Sequence, residues 1–342
     1  MKVRVGDLTK IRTGKLDANA SSETGEYPFF TCSKEPLKIS TYSYDCECVL
    51  VAGNGDLNVK YYNGKFDAYQ RTYIIEDNSS GKICMLYLYY YMESYIEELR
   101  KQSIGGVIKY IKLGNLTDAL IELPSVYEQK AIVEILGKIK NIINKHNKEI
   151  SNLDELIKAR FVEVFGDPIK NDKSWKQVKL MDLGLLARGI SKHRPRNAVE
   201  LLGGPYPLVQ TGEVANADTY ITSYLSTYSE LGLKQSKMWP KGTLCITIAA
   251  NIAQTSILTF DACFPDSVVG FIAGERVETV FVHYWFSFLQ SSLEALATQV
   301  AQKNLNLKTL SNVEVIVPPI QLQSEFVNFT KQVDKSKFIN RR

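Results

Sequence analysis

The sequence predicts an α+β protein with two similar globular domains of mixed α/β composition, each followed by a long helix. Three observations predict this fold class. Apolar residues at heptad spacing mark one long helix in the middle of the chain, the segments on either side of it resemble each other, and each segment alternates short turn-bounded strands with an aromatic-rich helix. Because each long helix carries an apolar seam that needs a partner, we expect the two helices to pair as an antiparallel coiled coil.

The composition is that of an ordinary globular protein. The chain has 342 residues, of which 45% are hydrophobic and 23% charged, and this length favours two domains over a single core. Its apolar runs are shorter than the roughly 18 residues of a membrane span, and its first residues lack a signal-peptide segment, so we expect a cytoplasmic protein. Six cysteines without CxxC spacing and only three histidines predict reduced thiols and no metal site.

The central helix has a predicted start and a predicted end. Ser125 and Glu128 form a capping box just after Pro124, and residues 166–168 (GDP) supply a stop, so we expect about 40 residues of helix, roughly 60 Å long. Apolar residues recur along it at alternating spacings of four and three, and the helix after Pro318 repeats this pattern. The residues expected to contact the partner helix or other subunits are Ile132, Leu136, Ile139, Ile143, Ile150, Leu153, Ile157, Phe326, Phe329 and Val333.

The two halves of the chain repeat the same order of features. Similar opening segments begin them about 175 residues apart, and a Tyr-Pro-apolar step follows in each. Pro124 and Pro318, which end a short apolar strand in each half, lie 194 residues apart, and the same offset places Gln129 on Gln323. A repeat of this length predicts two copies of a globular domain plus helix, which would hold two recognition surfaces at a set distance.

The repeat also predicts where the domains begin and end. The expected segments are a first recognition domain over residues 1–124, a central helix over 125–168, a second recognition domain over 169–318 and a distal helix over 319–342. The distal helix is shortened relative to the central one, so we expect it to pair with only part of it. Inside the first domain, Asn63-Gly64 between two strand-like runs predicts a two-residue hairpin of type I′.

The motifs of common nucleotide-binding and DNA-modifying enzymes are absent from the sequence. There is no GxxxxGK[ST] phosphate loop and no Asn-Pro-Pro-aromatic methyltransferase motif, and Asp266 lacks a nuclease Glu-x-Lys partner, so we interpret it as a turn residue. Only His193 and His283 lie in the domains, and His283 is expected to be packed. We therefore expect no catalytic residue. Two alternatives stay open: a single-chain nuclease or methyltransferase with a cryptic centre, and a coiled-coil adaptor without a DNA role.

Several segments resemble the specificity subunit of type I restriction-modification systems. They are residues 121–133 (IELPSVYEQKAIV), 156–168 (LIKARFVEVFGDP), 242–248 (GTLCITI), 302–308 (QKNLNLK) and 315–323 (VIVPPIQLQ). The resemblance spans essentially the whole chain and is strongest where the two helices begin. It implies that each domain is a target recognition domain that reads one half of a split, asymmetric DNA site, and that the helices set the gap between the halves.

The resemblance also implies partners. Two methyltransferase subunits would dock on the helices, and motor-nuclease restriction subunits would join them. S-adenosylmethionine, ATP and Mg²⁺ are then expected on those partner subunits and not on this chain.

Side chains that contact double-stranded DNA are expected in polar loops beside the apolar strands. The net charge of +4 is modest, but residues 100–112 and 176–196 are rich in Lys and Arg. Arg suits guanine, Asn and Gln suit adenine, and Lys suits phosphates. The candidates in the first domain are Arg12, Lys15, Gln70, Arg71, Lys109 and Tyr110. The candidates in the second domain are Arg188, Lys192, His193, Arg194, Arg196, Gln302, Lys303 and Asn304.

Overall fold

Two units make up the chain, one over Met1–Lys145 and one over His146–Arg342. The structure is a computed structural model that describes residues 1–193, 195–249, 252–299 and 306–340, without the side chains of residues 291–299 and 338–340. Within these ranges no helix is both long and apolar enough to cross a membrane. The central helix begins in the first unit and ends in the second.

The first unit consists of a mixed sheet, a two-stranded ribbon and the helices that cover them. In chain order its elements are β1 (Lys2–Arg4), α1 (Val5–Leu8), β2 (Thr9–Thr13), β3 (Tyr27–Phe30), β4 (Leu37–Ile39), β5 (Tyr44–Ala52), β6 (Val59–Ala68), β7 (Thr72–Asp77), α2 (Met85–Gln102), α3 (Leu113–Thr117), β8 (Leu120–Glu122) and the start of α4 (Val126–Phe165). The sheet has the strand order β2-β7-β5-β6-β3-β4, and β1 pairs with β8. Only the contact between β3 and β6 is parallel in this sheet.

The central strand β5 is buried on both faces, and its side chains alternate between two apolar clusters. Val49 and Val51 belong to the cluster that contains Leu88 and Met92 of α2, whereas Leu50 belongs to the cluster on the opposite face. Leu88 and Met92 lie four residues apart, so they share one face of α2. A strand between two apolar layers needs apolar residues on both faces, which explains the near-continuous apolar run in this part of the sequence.

The predicted hairpin at Asn63-Gly64 is wrong. Both residues lie inside β6, where Asn63 pairs with Glu47 and Gly64 pairs with Cys46 of β5. Asn-Gly permits a type I′ turn but does not require one, and β5 offers backbone partners on both sides of this dipeptide. The chain reverses instead at residues 53–58, between β5 and β6.

The second unit contains the end of α4, two larger sheets and a two-stranded ribbon. In chain order its further elements are β9 (Gln177–Lys179), β10 (Gly184–Arg188), β11 (Leu202–Leu208), α5 (Thr211–Asn216), β12 (Tyr220–Ile221), β13 (Ser226–Tyr228), α6 (Glu230–Lys234), β14 (Met238–Trp239), β15 (Leu244–Thr247), β16 (Thr255–Leu258), β17 (Ala262–Cys263), β18 (Val268–Ala273), α7 (Thr279–Gln299), α8 (Leu307–Ser311), β19 (Glu314–Ile316) and α9 (Ile320–Asn340). The strand orders are β10-β18-β15-β16-β12 and β13-β11-β17-β14, and β9 pairs with β19.

The two units share a sheet topology. The antiparallel order β2-β7-β5-β6 of the first unit recurs as β10-β18-β15-β16 in the second. A parallel contact follows in both, between Phe29 and Asp67 in the first unit and between Leu208 and Cys263 in the second. In the first unit, β6 makes both the antiparallel pairing with β5 and the parallel contact with β3. In the second unit, β16 pairs with β15 and the separate strand β17 makes the parallel contact with β11. The predicted duplication is confirmed.

A buried glutamine fastens the first turn of α4 to the first unit. Gln129 is 0% exposed. Its Nε2 donates to the carbonyl oxygens of Lys82 and Pro124, both at 2.9 Å, and its Oε1 accepts from the N–H of Cys84 at 2.8 Å. The predicted capping box is also present, since the N–H of Glu128 donates to Ser125 Oγ at 3.3 Å and Glu128 Oε2 accepts from the N–H of Ser125 at 2.8 Å.

The same bonds recur at the start of α9. Gln323 is 0% exposed, and its Nε2 donates to the carbonyl oxygens of Arg276 at 3.1 Å and Pro318 at 2.8 Å. Its Oε1 accepts from the N–H of Glu278 at 2.9 Å. All three partners lie 194 residues after the partners of Gln129. The repeat is thus preserved at the level of single hydrogen bonds.

Side chains of α9 pack against the second half of α4. The Phe326 ring centroid lies 5.4 Å from that of Phe161 and 5.5 Å from that of Phe165. Further along α9, Lys337 Nζ lies 2.5 Å from Asp154 Oδ1. Later residues of α9 therefore meet earlier residues of α4, so the two segments run in opposite directions where they touch.

The predicted seam residues differ in how far this chain buries them. Ile157, Phe326 and Val333 are buried, whereas Ile139 and Ile143 are 47% and 52% exposed. The intermediate positions are Ile132, Leu136, Ile150, Leu153 and Phe329. Burial of the seam is thus greatest in the part of α4 that lies beside α9.

Candidate nucleic-acid interface

In the first unit, the turn at residues 68–71 between β6 and β7 closes against the end of β2. The N–H of Gly14 donates to the Thr72 carbonyl at 3.0 Å, and the N–H of Lys15 donates to the Ala68 carbonyl at 3.2 Å. A Cβ atom at Gly14 would lie 2.1 Å from the Ala68 oxygen, so only glycine allows this close approach of the two backbones. The glycine thereby places Lys15 beside the turn.

Two further loops reach the same end of this sheet. The N–H of Gly53 donates to the Arg71 carbonyl at 2.7 Å, and the N–H of Gly55 donates to the Lys109 carbonyl at 2.9 Å. The residue between these glycines forms a β-bridge with Tyr110. Five predicted residues therefore come together with exposed side chains, and we name them the first strand-end site. Its members are Lys15, Gln70, Arg71, Lys109 and Tyr110.

Arg12 is engaged elsewhere in the same sheet. Its Nε lies 2.7 Å from Glu76 Oε1, and its guanidinium carbon lies 4.7 Å from the centre of the Tyr44 ring. A DNA contact by Arg12 would compete with this ion pair. The structure therefore does not bring Arg12 into the first strand-end site.

The second unit builds the same arrangement with different side chains. The N–H of Gly189 donates to the Val268 carbonyl at 2.8 Å, and a Cβ atom at Gly189 would lie 2.3 Å from the Phe264 carbonyl oxygen. These features match those around the glycine at the end of β2. Residues 264–267 are therefore the counterpart of residues 68–71.

Among the described residues, two arginines converge on Asp266 in this turn. Arg188 donates from Nε at 2.8 Å, and also from Nη2, to the Asp266 main-chain oxygen, while Arg196 Nη2 pairs with Asp266 Oδ1. Asp266 is thus more than the turn residue that the sequence predicts. The signal that could have found it is the repeat, because an offset of 196 residues places Gln70 of the first strand-end site on Asp266.

A neighbouring loop holds the backbone between these arginines. Gln235 Oε1 accepts from the N–H of Lys192 at 2.7 Å and from that of His193 at 3.1 Å, and Ser236 Oγ donates to the Ile190 carbonyl at 2.8 Å. Sequence reasoning missed Gln235 because its partners are more than 40 residues away along the chain. We name the second strand-end site by its members Arg188, Lys192, His193 and Arg196. The predicted residues Arg194, Gln302, Lys303 and Asn304 lie outside the described residues.

The two sites suit contacts with a nucleic acid. Guanidinium and amide groups match donor and acceptor patterns on base edges, and ammonium groups match phosphates. In the part of the chain that the structure describes, no group of three or more His, Cys, Asp or Glu residues is placed to hold a metal ion. His283 is packed in α7, as expected: it is 8% exposed, its Nδ1 lies 3.0 Å from Thr255 Oγ1, and burial lowers its pKa to about 4.

Comparison with known proteins identifies the chain's relatives. The family model described as "Type I restriction modification DNA specificity domain" matches residues 1–153 and 172–342. The type I restriction enzyme EcoDI specificity subunit of Escherichia coli is 29% identical over 97% of this chain and 80% of the relative. The type I restriction enzyme MjaVIII specificity subunit of Methanocaldococcus jannaschii is 22% identical over 99% of this chain and 87% of the relative.

Solved structures share the fold. The type I restriction-modification S subunit from M. genitalium aligns with 100% of this chain and 91% of its own, with a TM-score of 0.62 and 14% identity. A chain from a study of complex assembly and conformational transition of the type I restriction-modification system aligns with 100% of this chain and 92% of its own, with a TM-score of 0.54 and 15% identity. At these identities the likeness shows the architecture of two mixed α/β domains.

Proposed function

This chain belongs to the type I restriction modification DNA specificity family, and from that premise we propose that its two strand-end sites read the two halves of a split, asymmetric site in double-stranded DNA. It is a DNA-specificity subunit with two recognition domains, and it is not itself the enzyme. The observation that carries the proposal is that each unit brings exposed basic side chains to the equivalent end of its equivalent sheet. Different side chains at equivalent positions suit different half-sites.

The relatives bear on the single-chain enzyme, one of the two alternatives that the sequence leaves open. The two relatives named above are specificity subunits, and the alignment with this chain covers most of the length of each. This favours a subunit that reads DNA for other subunits over a single-chain nuclease or methyltransferase.

We propose that α4 and α9 pair as an antiparallel coiled coil and that α4 sets the distance between the two recognition surfaces. The contacts of Phe326 with Phe161 and of Lys337 with Asp154 support this pairing. The proposed segments are recognition domains over residues 1–124 and 169–318 and helical segments over 125–168 and 319–342.

We propose that the exposed apolar side chains of α4 dock the other subunits of the complex. Ile135, Ile139, Ile142 and Ile143 are each about half exposed, which is costly for isoleucine unless a partner covers it. The partners are two methyltransferase subunits and the motor-nuclease restriction subunits. S-adenosylmethionine, ATP and Mg²⁺ belong to those partners. Because the assembled complex acts on DNA, we propose that this chain functions in the cytoplasm.

The proposal is tested by removing charge from each site in turn. We expect the double variants Lys15→Ala/Arg71→Ala and Lys192→Ala/Arg196→Ala to weaken DNA binding about tenfold or more at 0.1 M salt, because each removes up to two phosphate or base contacts. The slope of log K against log salt should become shallower by up to about two. Binding is measured for the full chain, assembled with its methyltransferase subunits, on a duplex whose sequence is read from methylated adenines in the host genome.

The matched control removes the same charge elsewhere. Lys2 lies on β1, and Lys241 lies in the turn before β15, at the opposite end of the sheet from the second strand-end site; both are exposed. Lys2→Ala/Lys241→Ala should leave affinity and salt slope close to those of the unmodified chain. An equal loss in the control and the site variants would remove the strand-end sites from the DNA interface.

A further inference from the structure

We propose that Asp266 is a positioning residue of the second strand-end site, which holds Arg188 and Arg196 in one fixed arrangement for reading bases. The inference rests on the proposed function, because it assumes that this site faces DNA. It adds a residue that would set the specificity of one half-site without needing to touch the DNA itself.

The geometry brings Asp266 together with two arginines that lie 70 or more residues before it in the chain. Arg188 is the last residue of β10, and Arg196 belongs to the loop that follows it. Arg188 uses its Nε and Nη2 groups on the main-chain oxygen of Asp266, and Arg196 uses Nη2 on the carboxylate. The Asp266 carboxylate therefore orients Arg196, while the main-chain oxygen of the same residue orients Arg188. Each guanidinium keeps further N–H donors for other acceptors.

The turn that carries Asp266 is itself fixed on both sides. The N–H of Gly189 donates to the Val268 carbonyl at 2.8 Å, and the N–H of Ile248 donates to the Ser267 carbonyl at 3.0 Å. Within the turn, the N–H of Val268 donates to the Pro265 carbonyl at 3.0 Å. Asp266 thus presents its oxygens from a braced backbone, which a flexible loop could not do.

Holding the arginines in advance should favour base reading over non-specific binding for two reasons. A free arginine side chain loses rotamer entropy when it is ordered, and a side chain that is already ordered loses less on binding DNA. The carboxylate also offsets one positive charge, which weakens sequence-independent attraction to phosphates. Both effects raise the ratio of specific to non-specific affinity.

The first unit shows that this role belongs to one half-site only. Gln70 occupies the counterpart of Asp266, 196 residues earlier, so that turn carries a neutral amide and no carboxylate. Arg12 in the first unit is paired with Glu76 at 2.7 Å instead. The equivalent turn position therefore differs in charge between the units, as expected for a position that sets the identity of the base pairs read.

The experiment replaces the carboxylate with its neutral isostere. The full chain, assembled with methyltransferase subunits, is titrated with four duplexes: both half-sites intact, only the second half-site replaced, only the first replaced, and both replaced. We expect Asp266→Asn to reduce discrimination against replacement of the second half-site about tenfold and to leave discrimination at the first unchanged. Affinity for DNA without either half-site should rise, with a salt slope steeper by about one.

A matched control changes the net charge by the same amount in the same unit. Glu275 is exposed, in the turn after β18, and Glu275→Gln should leave both discrimination ratios unchanged. The proposal is overturned when Asp266→Asn behaves like Glu275→Gln. Failure of the unmodified chain to discriminate at the second half-site would instead count against the proposed function itself.

A second pair of variants covers the case in which Asp266→Asn does not fold. Asp266→Glu keeps the carboxylate and should keep most of the discrimination. Arg196→Gln should lose discrimination at the second half-site, and the double variant Asp266→Asn/Arg196→Gln should lose no more than the single ones, because both act through one contact. Losses that multiply in the double variant would contradict the positioning role.

Discussion

At the scale of single residues, each site is supported by a glycine that packs against the neighbouring turn. Gly14 and Gly189 each lie against a backbone turn so closely that a Cβ atom would overlap a carbonyl oxygen. The charged residues around them differ between the two units. Each unit thus keeps the same support and changes the side chains at its proposed DNA-binding surface.

His283 makes the stability of the second unit depend on pH. Burial, together with the charge of Lys337, lowers its pKa from 6.5 to about 4, while in the unfolded chain it titrates near 6.5. As the pH falls below 6.5, the unfolded state binds the proton first, so we expect about 3 kcal/mol of stability to be lost by pH 4. Thermal denaturation followed by circular dichroism between pH 7.5 and pH 4.5 measures this loss.

Carboxylates titrate in the same range, so variants isolate the histidine. His283→Gln should flatten the fall in melting temperature with decreasing pH, whereas His146→Gln on α4, where the side chain is 44% exposed, should not. Parallel curves for His283→Gln and the unmodified chain would contradict the assignment.

At the scale of elements, a buried glutamine fixes where each long helix leaves its unit. Gln129 and Gln323 each bridge the strand-to-helix turn and the segment before the aromatic-rich helix, through three hydrogen bonds. An amide supplies both donors and an acceptor, which no apolar residue of that size could do. The direction in which each helix leaves the domain therefore depends on one side chain.

Gln323→Ala should destabilise the second unit by about 2–4 kcal/mol. It leaves the N–H of Glu278 and the carbonyls of Arg276 and Pro318 without their bonded partner in a site that water does not reach. Chemical denaturation provides the measurement. The neighbouring exposed residue supplies the control, since Gln321→Ala should change stability by less than about 0.5 kcal/mol. Equal effects of the two substitutions would show that the buried bonds contribute little.

At the scale of the whole molecule, α4 is the continuous connection between the units. It begins in the first unit, ends in the second and passes the boundary at Lys145 and His146. A helix of 40 residues is a stiff spacer about 60 Å long. In the proposed function, the separation of the two half-sites in the DNA follows from the length of that helix.

Inserting one heptad after Asn147 should lengthen the gap in the recognised DNA sequence. Seven residues add about 10 Å of helix, which corresponds to about three base pairs. The insertion lies outside the part of α4 that Phe326 and Lys337 contact, so the contacts with α9 should persist. The positions of methylated adenines in the genome of a host that carries the variant give the new gap.

In the control for this variant, the inserted heptad sequence instead replaces the seven residues that follow Asn147, with apolar positions matched, so that the length of α4 does not change. This control should keep the original gap. A heptad insertion that also keeps the original gap would show that α4 does not act as the ruler.

The sequence by itself determined the features that depend on local patterns. The bounds of α4 follow from the capping box at Ser125 and the stop at Gly166, and the helix runs from Val126 to Phe165 as predicted. The duplication and the equivalence of Gln129 with Gln323 follow from spacing alone. The choice of Lys15, Gln70 and Arg71 as separate candidates followed from their polar loops, because loops beside apolar strands are where exposed side chains collect.

Only the tertiary structure decided the features that depend on partners distant in the chain. Asn63-Gly64 became part of a strand because β5 pairs along its whole length, and Arg12 turned to Glu76 because β7 lies beside β2. Asp266 joined Arg188 and Arg196 across 70 or more residues of sequence. Local spacing contains no information on which strands become neighbours, so the pairing of these side chains appears only when the sheet is assembled.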